Sequence, residues 1–334
     1  MNGVRALLKS GRAFTRFCET VHQSAAAATW LLSLYTTVGL RWDQSMSRAG
    51  HHFVSFFSSV AVAWLAFAPF APVSACDAFT SCQVSNGSYL VRPPARWDGR
   101  TALPVIVFFH GAFSDAKDTM GREDLRKAAD EVGALLVAAD GANKNWSFPG
   151  KISNDRDDFA YVSNVLDDVG RRFPVEADSV LASGFSVGGS MAWYAACFLG
   201  QRFAAFAPVA GAYWEPLPEA CPSGPVSLRH VHGLADATVP MKGRSLRNGL
   251  WKQGDVLESF RRLRMRNGCG DEPDRVESSG NMTCRTWSAT SCSSGREAVL
   301  CLHPEDHIVD GQWVADGFRW MQGGRKGDAG ERRR

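Results

Sequence analysis

Short, continuous apolar runs rich in β-branched and aromatic residues recur along this chain, alternating with amphipathic stretches. Residues 104–109 (PVIVFF), 133–139 (GALLVAA), 179–185 (SVLASGF), 228–232 and 298–302 are of this kind, and residues 88–91 form a shorter strand candidate. Runs without apolar–polar alternation suit strands buried on both faces, which is how strands of a parallel sheet sit. Between them, residues 122–132, 157–173, 187–199, 255–266 and 310–321 predict helices, the second opening on Asp157-Asp158, good residues for a helix N-terminus. Strands alternating with helices predict an α/β chain: a mainly parallel sheet with helices on both faces and no large lid. With 334 residues, 45% of them hydrophobic, the chain can bury a sizeable core. One catalytic domain over residues 76–321 is expected, followed by a disordered basic tail over residues 322–334. That tail holds part of the formal net charge of +3. No basic stripe interleaved with aromatics occurs, so nucleic-acid binding has no support.

Residues 1–75 read as a leader. The apolar run 53–70 follows Arg41, Arg48, His51 and His52 and ends in Ala71-Pro72-Val73-Ser74-Ala75. A positive flank, an apolar stretch and small residues before a cleavage point after Ala75 describe a secretory signal peptide. The alternative is an uncleaved anchor, since the run is nearly long enough to span a bilayer. The extension upstream is long for a signal peptide, so Met46 is the candidate true start; the apolar stretch 25–40 leaves room for a more complex membrane arrangement. Val73-Ser74-Ala75-Cys76 also resembles a lipobox, in which Cys76 would carry lipid. Cysteine arithmetic opposes this: nine Cys less Cys18 of the leader leave an even set, which fits disulfides in an oxidising compartment. Cys76–Cys82 and Cys197–Cys221 are the favoured pairs, with Cys269, Cys284, Cys292 and Cys301 pairing among themselves in an open order. Their spacing lacks paired C-x-x-C knuckles, so no zinc site is expected. The chain is read as secreted or periplasmic, with no membrane association in the mature form unless Cys76 is lipidated.

Gly184-Phe185-Ser186-Val187-Gly188-Gly189 stands where the apolar run 179–185 meets the helix candidate 187–199. A G-x-S-x-G string alone is weak; between a strand and a helix it is a nucleophile elbow, whose tight turn needs flanking glycines and lifts the serine clear of the sheet. Ser186 is then the candidate nucleophile. The Val187 N–H, at the positive end of the following helix, is a candidate oxyanion donor. A serine needs a base, and the base an orienting carboxylate, in the chain order Ser, acid, His for this architecture. Asp236, in a loop just past the run 228–232, is the acid candidate. His303 and His307 are the base candidates; His307, deeper in the loop before the last helix, is preferred. The second oxyanion donor is expected at the Ala112 N–H, after the His110-Gly111 turn that ends the run 104–109. His110 itself precedes the serine and reads as a structural hydrogen-bonding residue. His230 and His232 alternate on one strand; a metal pair is conceivable there, but with no third ligand evident a packing or supporting role is favoured. Trp146, Trp193 and Trp214 either line an acyl site or pack in the core, the core being favoured.

These motifs resemble a known group. The His110-Gly111 turn, the elbow at Gly184–Gly188, the H-G-x-x-D-x-x-V-P stretch from His232 to Pro240 and Cys301-Leu302-His303-Pro304 look like the polyhydroxybutyrate depolymerase and feruloyl esterase group of the α/β-hydrolase superfamily. Arg156-Asp157-Asp158 and Gln253-Gly254-Asp255 are similar to that group as well. The resemblance implies an α/β-hydrolase fold and hydrolysis of carboxylic esters through an acyl-enzyme, with no cofactor and no metal. It also implies Ser186 as nucleophile, Asp236 as acid and His307 as base. One departure stands out: the group carries Gly-Gly before its catalytic histidine, where this chain has Glu305-Asp306. By charge, two carboxylates there favour the protonated base and would move activity to higher pH.

The expected partner is a small-molecule or oligomeric ester: a hydroxyalkanoate oligomer, or alternatively a feruloyl or acetyl ester of plant cell walls. A non-catalytic binding protein on the same fold is the competing class. It would be marked by a degraded triad, whereas all three residue types are present here in order.

Overall fold

The computed structural model describes residues 76–150 and 155–331. The expected signal peptide, its reading as an anchor, the alternative start at Met46 and the apolar stretch 25–40 lie outside the described residues. No helix among the described residues is long and apolar enough to cross a membrane.

In chain order the strands are β1 (Cys82–Val84), β2 (Gly87–Arg92), β3 (Leu103–Phe109), β4 (Leu135–Ala139), β5 (Val175–Phe185), β6 (Ala205–Val209), β7 (Leu228–Gly233), β8 (Ser245–Leu246), β9 (Trp251–Lys252), β10 (Arg275–Ser279), β11 (Met282–Trp287) and β12 (Ala298–His303). The helices are α1 (Ala116–Gly121), α2 (Glu123–Glu131), α3 (Asp158–Arg172), α4 (Val187–Phe198), α5 (Val256–Asn267) and α6 (Gly311–Glu331). All strands but β8 and β9 form one sheet, ordered β1-β2-β4-β3-β5-β6-β7-β12-β11-β10. From β4 to β12 every neighbour is parallel. Antiparallel partners close both edges, β1–β2 on one side and β11–β10 on the other.

The apolar runs behave as double-sided strands. In β3, Val105, Val107 and Phe109 face a cluster with Trp146, Tyr161 and Trp193, while Ile106 and Phe108 face Leu125, Val314 and Phe318 on the opposite side. Two-residue periodicity with both faces apolar makes this possible: successive side chains point to opposite faces, and helices cover each. α3, α4 and α5 contribute to the first layer, α2 and α6 to the second. Helix α4 is buried from Val187 to Cys197, as suits an all-round apolar helix under a sheet. β3 pairs with β4 on one flank and β5 on the other, so the winding direction reverses there. Such a switch point opens a crevice at the C-terminal ends of the strands.

The favoured pairs Cys76–Cys82 and Cys197–Cys221 are both bonded, and the first leaves the Cys76 sulfur unavailable for a lipid. The structure corrects other details. α6 spans Gly311–Glu331 and so runs past Met321 into the stretch expected as a disordered tail. β6 and the β10–β11 hairpin were not anticipated: β6 carries Pro208 and three small or short apolar residues, and β10 (RVESS) is exposed throughout. The other disulfides are Cys269–Cys292 and Cys284–Cys301; the last joins directly opposed residues of β11 and β12.

Candidate active site

The elbow is strained as its sequence requires. Ser186 has φ 60° and ψ −123°, left-handed backbone that a side chain adopts only when its surroundings compel it. The compulsion is local. A Cβ on Gly184 would lie 2.5 Å from the Gly188 carbonyl oxygen, and one on Gly188 would run into the Phe109 carbonyl. The Ser186 N–H donates to the Val209 carbonyl of β6 at 3.1 Å, and the Ser190 N–H donates back to the Ser186 carbonyl at 2.9 Å. The turn is thereby pinned between β3, β6 and the first turn of α4. Val187 is the first residue of that helix, where backbone N–H groups have no intrahelical acceptor and the dipole is positive.

The acid and base candidates meet across two loops. His307, after β12, places Nδ1 2.7 Å from Oδ2 of Asp236, after β7. A carboxylate only accepts, so Nδ1 carries the proton and Nε2 presents a lone pair. The other carboxylate oxygen, Oδ1, accepts from the N–H groups of Thr238 at 2.9 Å and Val239 at 2.7 Å. Burial alone would push the Asp236 carboxyl up; the bonds from His307 and Val239 outweigh it and hold the group below the ordinary carboxylate value. The His307 ring lies 4.6 Å from the ring of Phe185, the residue before the candidate nucleophile, so base and elbow adjoin. Ser186 Oγ makes no hydrogen bond among the described residues; such bonds commonly tighten only when substrate arrives.

Asp306 does not sit against the base as a free charge. Its Oδ1 accepts from the Ala237 N–H at 2.9 Å and the His307 N–H at 2.7 Å, stitching the acid loop to the base loop. Glu305 is engaged by the Asn281 carboxamide at 2.9 Å. Both residues that replace the glycines of the related group therefore hold backbone and turn in place.

The candidate oxyanion turn is clamped from behind. Nδ1 of His110 donates to the Gly111 carbonyl at 2.8 Å, and Nε2 accepts from the Gly141 N–H at 2.9 Å. Nε1 of Trp146 donates to the His110 carbonyl at 2.8 Å, and the Phe113 N–H donates to the Lys144 carbonyl at 2.9 Å. A Cβ built on Gly111 would stand 3.6 Å from the Cβ of Ser186, so the turn passes close over the elbow. Ala112 is exposed there, with its N–H unbonded among the described residues.

Of the base candidates, His303 is set apart. It is buried, its ring lies 4.6 Å from that of Trp313 at a tilt of 36°, and neither ring nitrogen has a hydrogen-bond partner among the described residues. Burial pushes its imidazole down against the pull of Glu305 and Asp236. Trp146, Trp193 and Trp214 are all buried and pack in the core cluster. The rings of His230 and His232 contact each other at 3.0 Å, with their outer nitrogens on carbonyl oxygens. Sequence reasoning missed the stitching role of Asp306 and the strained Phe113 (φ 66°). The Glu305-Asp306 pair was the one available signal for the former; nothing in the sequence marked the latter.

No family model matches the sequence. The putative esterase NocK of Nocardia uniformis subsp. tsuyamanensis is 33% identical over 240 residues, 65% of this chain and 68% of that protein. Feruloyl esterase B of Piromyces equi is 27% identical over 227 residues, 64% of this chain and 40% of that protein. Feruloyl esterase D of Neurospora crassa is 24% identical over 243 residues, 68% and 76% of the two chains. Among solved structures, the acetyl xylan esterase from Aspergillus awamori superposes with a TM-score of 0.52 at 13% identity, covering 69% of this chain and 93% of that one, a likeness of fold. The fold of this chain is that of the α/β-hydrolases, and by its likeness to the putative esterase NocK this chain belongs to an esterase family.

Proposed function

We propose that the protein is a secreted esterase that cleaves carboxylic esters through an acyl-enzyme on Ser186. The observation that carries this reading is the 2.7 Å bond between His307 and Asp236, at the sheet edge where the elbow presents Ser186. Nε2 of His307 takes the Ser186 hydroxyl proton as Oγ attacks the acyl carbon, and returns it to the departing alcohol oxygen as the ester bond breaks. Water then attacks the acyl-serine, giving its proton to the same nitrogen, which passes it to Ser186 Oγ as the acyl–Oγ bond breaks and the carboxylic acid leaves. The N–H groups of Ala112 and Val187 would hold the developing oxyanion. Four disulfides support an oxidising destination outside the cytoplasm.

The names of the relatives favour a hydroxycinnamoyl or acetyl ester on a carbohydrate as substrate. The motif set of the sequence supports hydroxybutyrate oligomers as a second reading. Methyl ferulate, p-nitrophenyl acetate and a soluble hydroxybutyrate trimer, each assayed with the wild type and Ser186→Ala, separate these. Hydrolysis of any ester that vanishes in Ser186→Ala is the expected result. Equal rates in the variant, or no ester hydrolysis at all, would refute the proposal.

A further inference from the structure

Behind Asp236 lies a chain of contacts that the ester chemistry does not use. Nε2 of His232 is 2.8 Å from the Val239 carbonyl oxygen and 3.5 Å from Oδ2 of Asp236. Nδ1 of His232 is 3.0 Å from Nε2 of His230. Nδ1 of His230 is 3.1 Å from the Pro208 carbonyl oxygen. Both rings are buried to 0% exposure.

Proton counting on this chain is restrictive. The two carbonyl oxygens only accept, so satisfying every contact takes three ring protons, whereas two neutral imidazoles carry two. Burial in apolar surroundings disfavours a cationic ring and pushes both imidazoles down. One contact must therefore go without its proton. Leaving the His232–Val239 contact bare would aim a nitrogen lone pair at the Val239 carbonyl and at the Asp236 carboxylate together. Leaving the middle contact bare would set two ring lone pairs face to face. Leaving the Pro208 contact bare costs least, since it is the longest of the set and involves one oxygen with a second lone pair to use elsewhere. In that arrangement His230 carries its proton on Nε2 and donates to Nδ1 of His232. His232 in turn carries its proton on Nε2 and donates to Val239, with the same N–H dipole beside Asp236.

We infer that His230 is a positioning residue for the candidate acid: by donating to Nδ1 of His232 it anchors the ring whose Nε2–H, bonded to the Val239 carbonyl, also faces the Asp236 carboxylate. The inference rests on the reading of Asp236 as the carboxylate that orients His307. The Asp236–Val239 turn is then held on three sides. His232 grips its far carbonyl, Asp306 grips the Ala237 N–H, and His307 engages Oδ2. His303, packed against Gly233, and Glu305, bonded to Asn281, are the remaining titratable groups around this turn. Which nitrogen of His232 is protonated decides whether Asp236 faces a donor or a lone pair, and the Val239 carbonyl, which only accepts, keeps the proton on Nε2.

The test uses the full chain labelled with ¹⁵N-histidine and long-range ¹H–¹⁵N correlation, together with steady-state kinetics on p-nitrophenyl acetate. In the wild type, His230 and His232 should both appear as Nε2–H tautomers. His230→Leu removes the donor: the Val239 carbonyl keeps the proton on Nε2 of His232, but Nδ1 loses its hydrogen bond, so the Nδ1 ¹⁵N signal should move toward that of a free unprotonated nitrogen, and kcat should fall roughly tenfold with KM unchanged, within the range for residues coupled in one hydrogen-bond network. His230→Gln keeps an N–H donor and should recover most of that loss. A wild-type His232 protonated on Nδ1 overturns the inference even if His230→Leu does not fold. So does His230→Leu with wild-type kcat and an unchanged Nδ1 signal of His232. Retention of activity in Ser186→Ala would instead refute the esterase mechanism, and the tautomer result would stand apart from it.

Discussion

Lowering the pH from about 7 to about 5.5 should destabilise this protein far more than its surface charges would suggest, because His110, His230 and His232 are buried with their ring nitrogens committed. Nε2 of His110 accepts from the Gly141 N–H, so protonating it would set donor against donor and break the clamp on the oxyanion turn. Burial pushes its imidazole down, against the weaker pull of the Gly111 carbonyl and nearby carboxylates. A histidine that is neutral when folded and titrates near 6.5 when unfolded gives an unfolded state that binds more protons. Stability therefore falls as pH drops below that ordinary value. Over this window a ring that stays neutral throughout in the folded state removes about 1.3 kcal/mol, the ceiling for each. His110 contributes at most one share. The His230–His232 pair contributes between one and two, because a proton accepted in the folded state could satisfy the Pro208 contact. The sum is at most about 2.5–4 kcal/mol, a large fraction of the roughly 5–15 kcal/mol that holds a typical fold together. Carboxylates add little here, since their ordinary values near 4 lie below the window. Urea unfolding at a series of pH values, with disulfides intact, reads this directly as a falling midpoint at constant slope. A decline below about 1 kcal/mol would mean that these rings are protonated in the folded state, and the hydrogen-bond assignments around them would be wrong.

The two base candidates should separate cleanly: His307→Ala should lower kcat/KM on p-nitrophenyl acetate by about a thousandfold or more, whereas His303→Ala should retain activity within about tenfold and lose stability instead, through the cavity left beside Trp313. Full activity in His307→Ala would overturn the assignment. Gly188→Ala drives a methyl group into the Phe109 carbonyl and should cost on the order of 1–3 kcal/mol, read as a lower Tm together with lost turnover; an unchanged Tm would show the elbow to be looser than its backbone angles indicate.

Much of this architecture was legible in the sequence, and the reason is physical. Strands buried on both faces need unbroken apolar runs, so 104–109 and 228–232 announced β3 and β7. β6 escaped because Ala205–Val209 gains its strand character from neighbours on both sides rather than from β-branched residues. The β10–β11 hairpin escaped because an exposed edge strand needs no apolar pattern at all; its pairing is set by a two-residue turn at Gly280-Asn281, while the Cys284–Cys301 bridge ties β11 to β12. At the site, residue identity and chain order sufficed to nominate Ser186, Asp236, His307, Ala112 and Val187. They left His303 as a second base candidate and preferred His307 only for its place deeper in the loop, since the choice depends on which loop position reaches Asp236 across 71 residues of chain.

The strained residues explain why the site is where it is. Ser186, Phe113 and Ala210 all have positive φ without being glycine, and they follow β5, β3 and β6 at the same sheet edge. Left-handed backbone at such residues costs on the order of 1–3 kcal/mol each and survives only where neighbours over-determine it. Each is over-determined by a bond to another element: Ser186 to Val209, Phe113 to Lys144, and Ala210 to Val231. The parallel sheet supplies the rigidity, and its C-terminal edge is the one place where adjacent strands, turning out in opposite directions around β3, leave room for such turns to converge. Under the proposed mechanism these loops depend on side chains for their alignment, so Asp306 and His232 would matter to a reaction whose atoms they do not touch. A substitution in either should alter turnover before it alters substrate affinity.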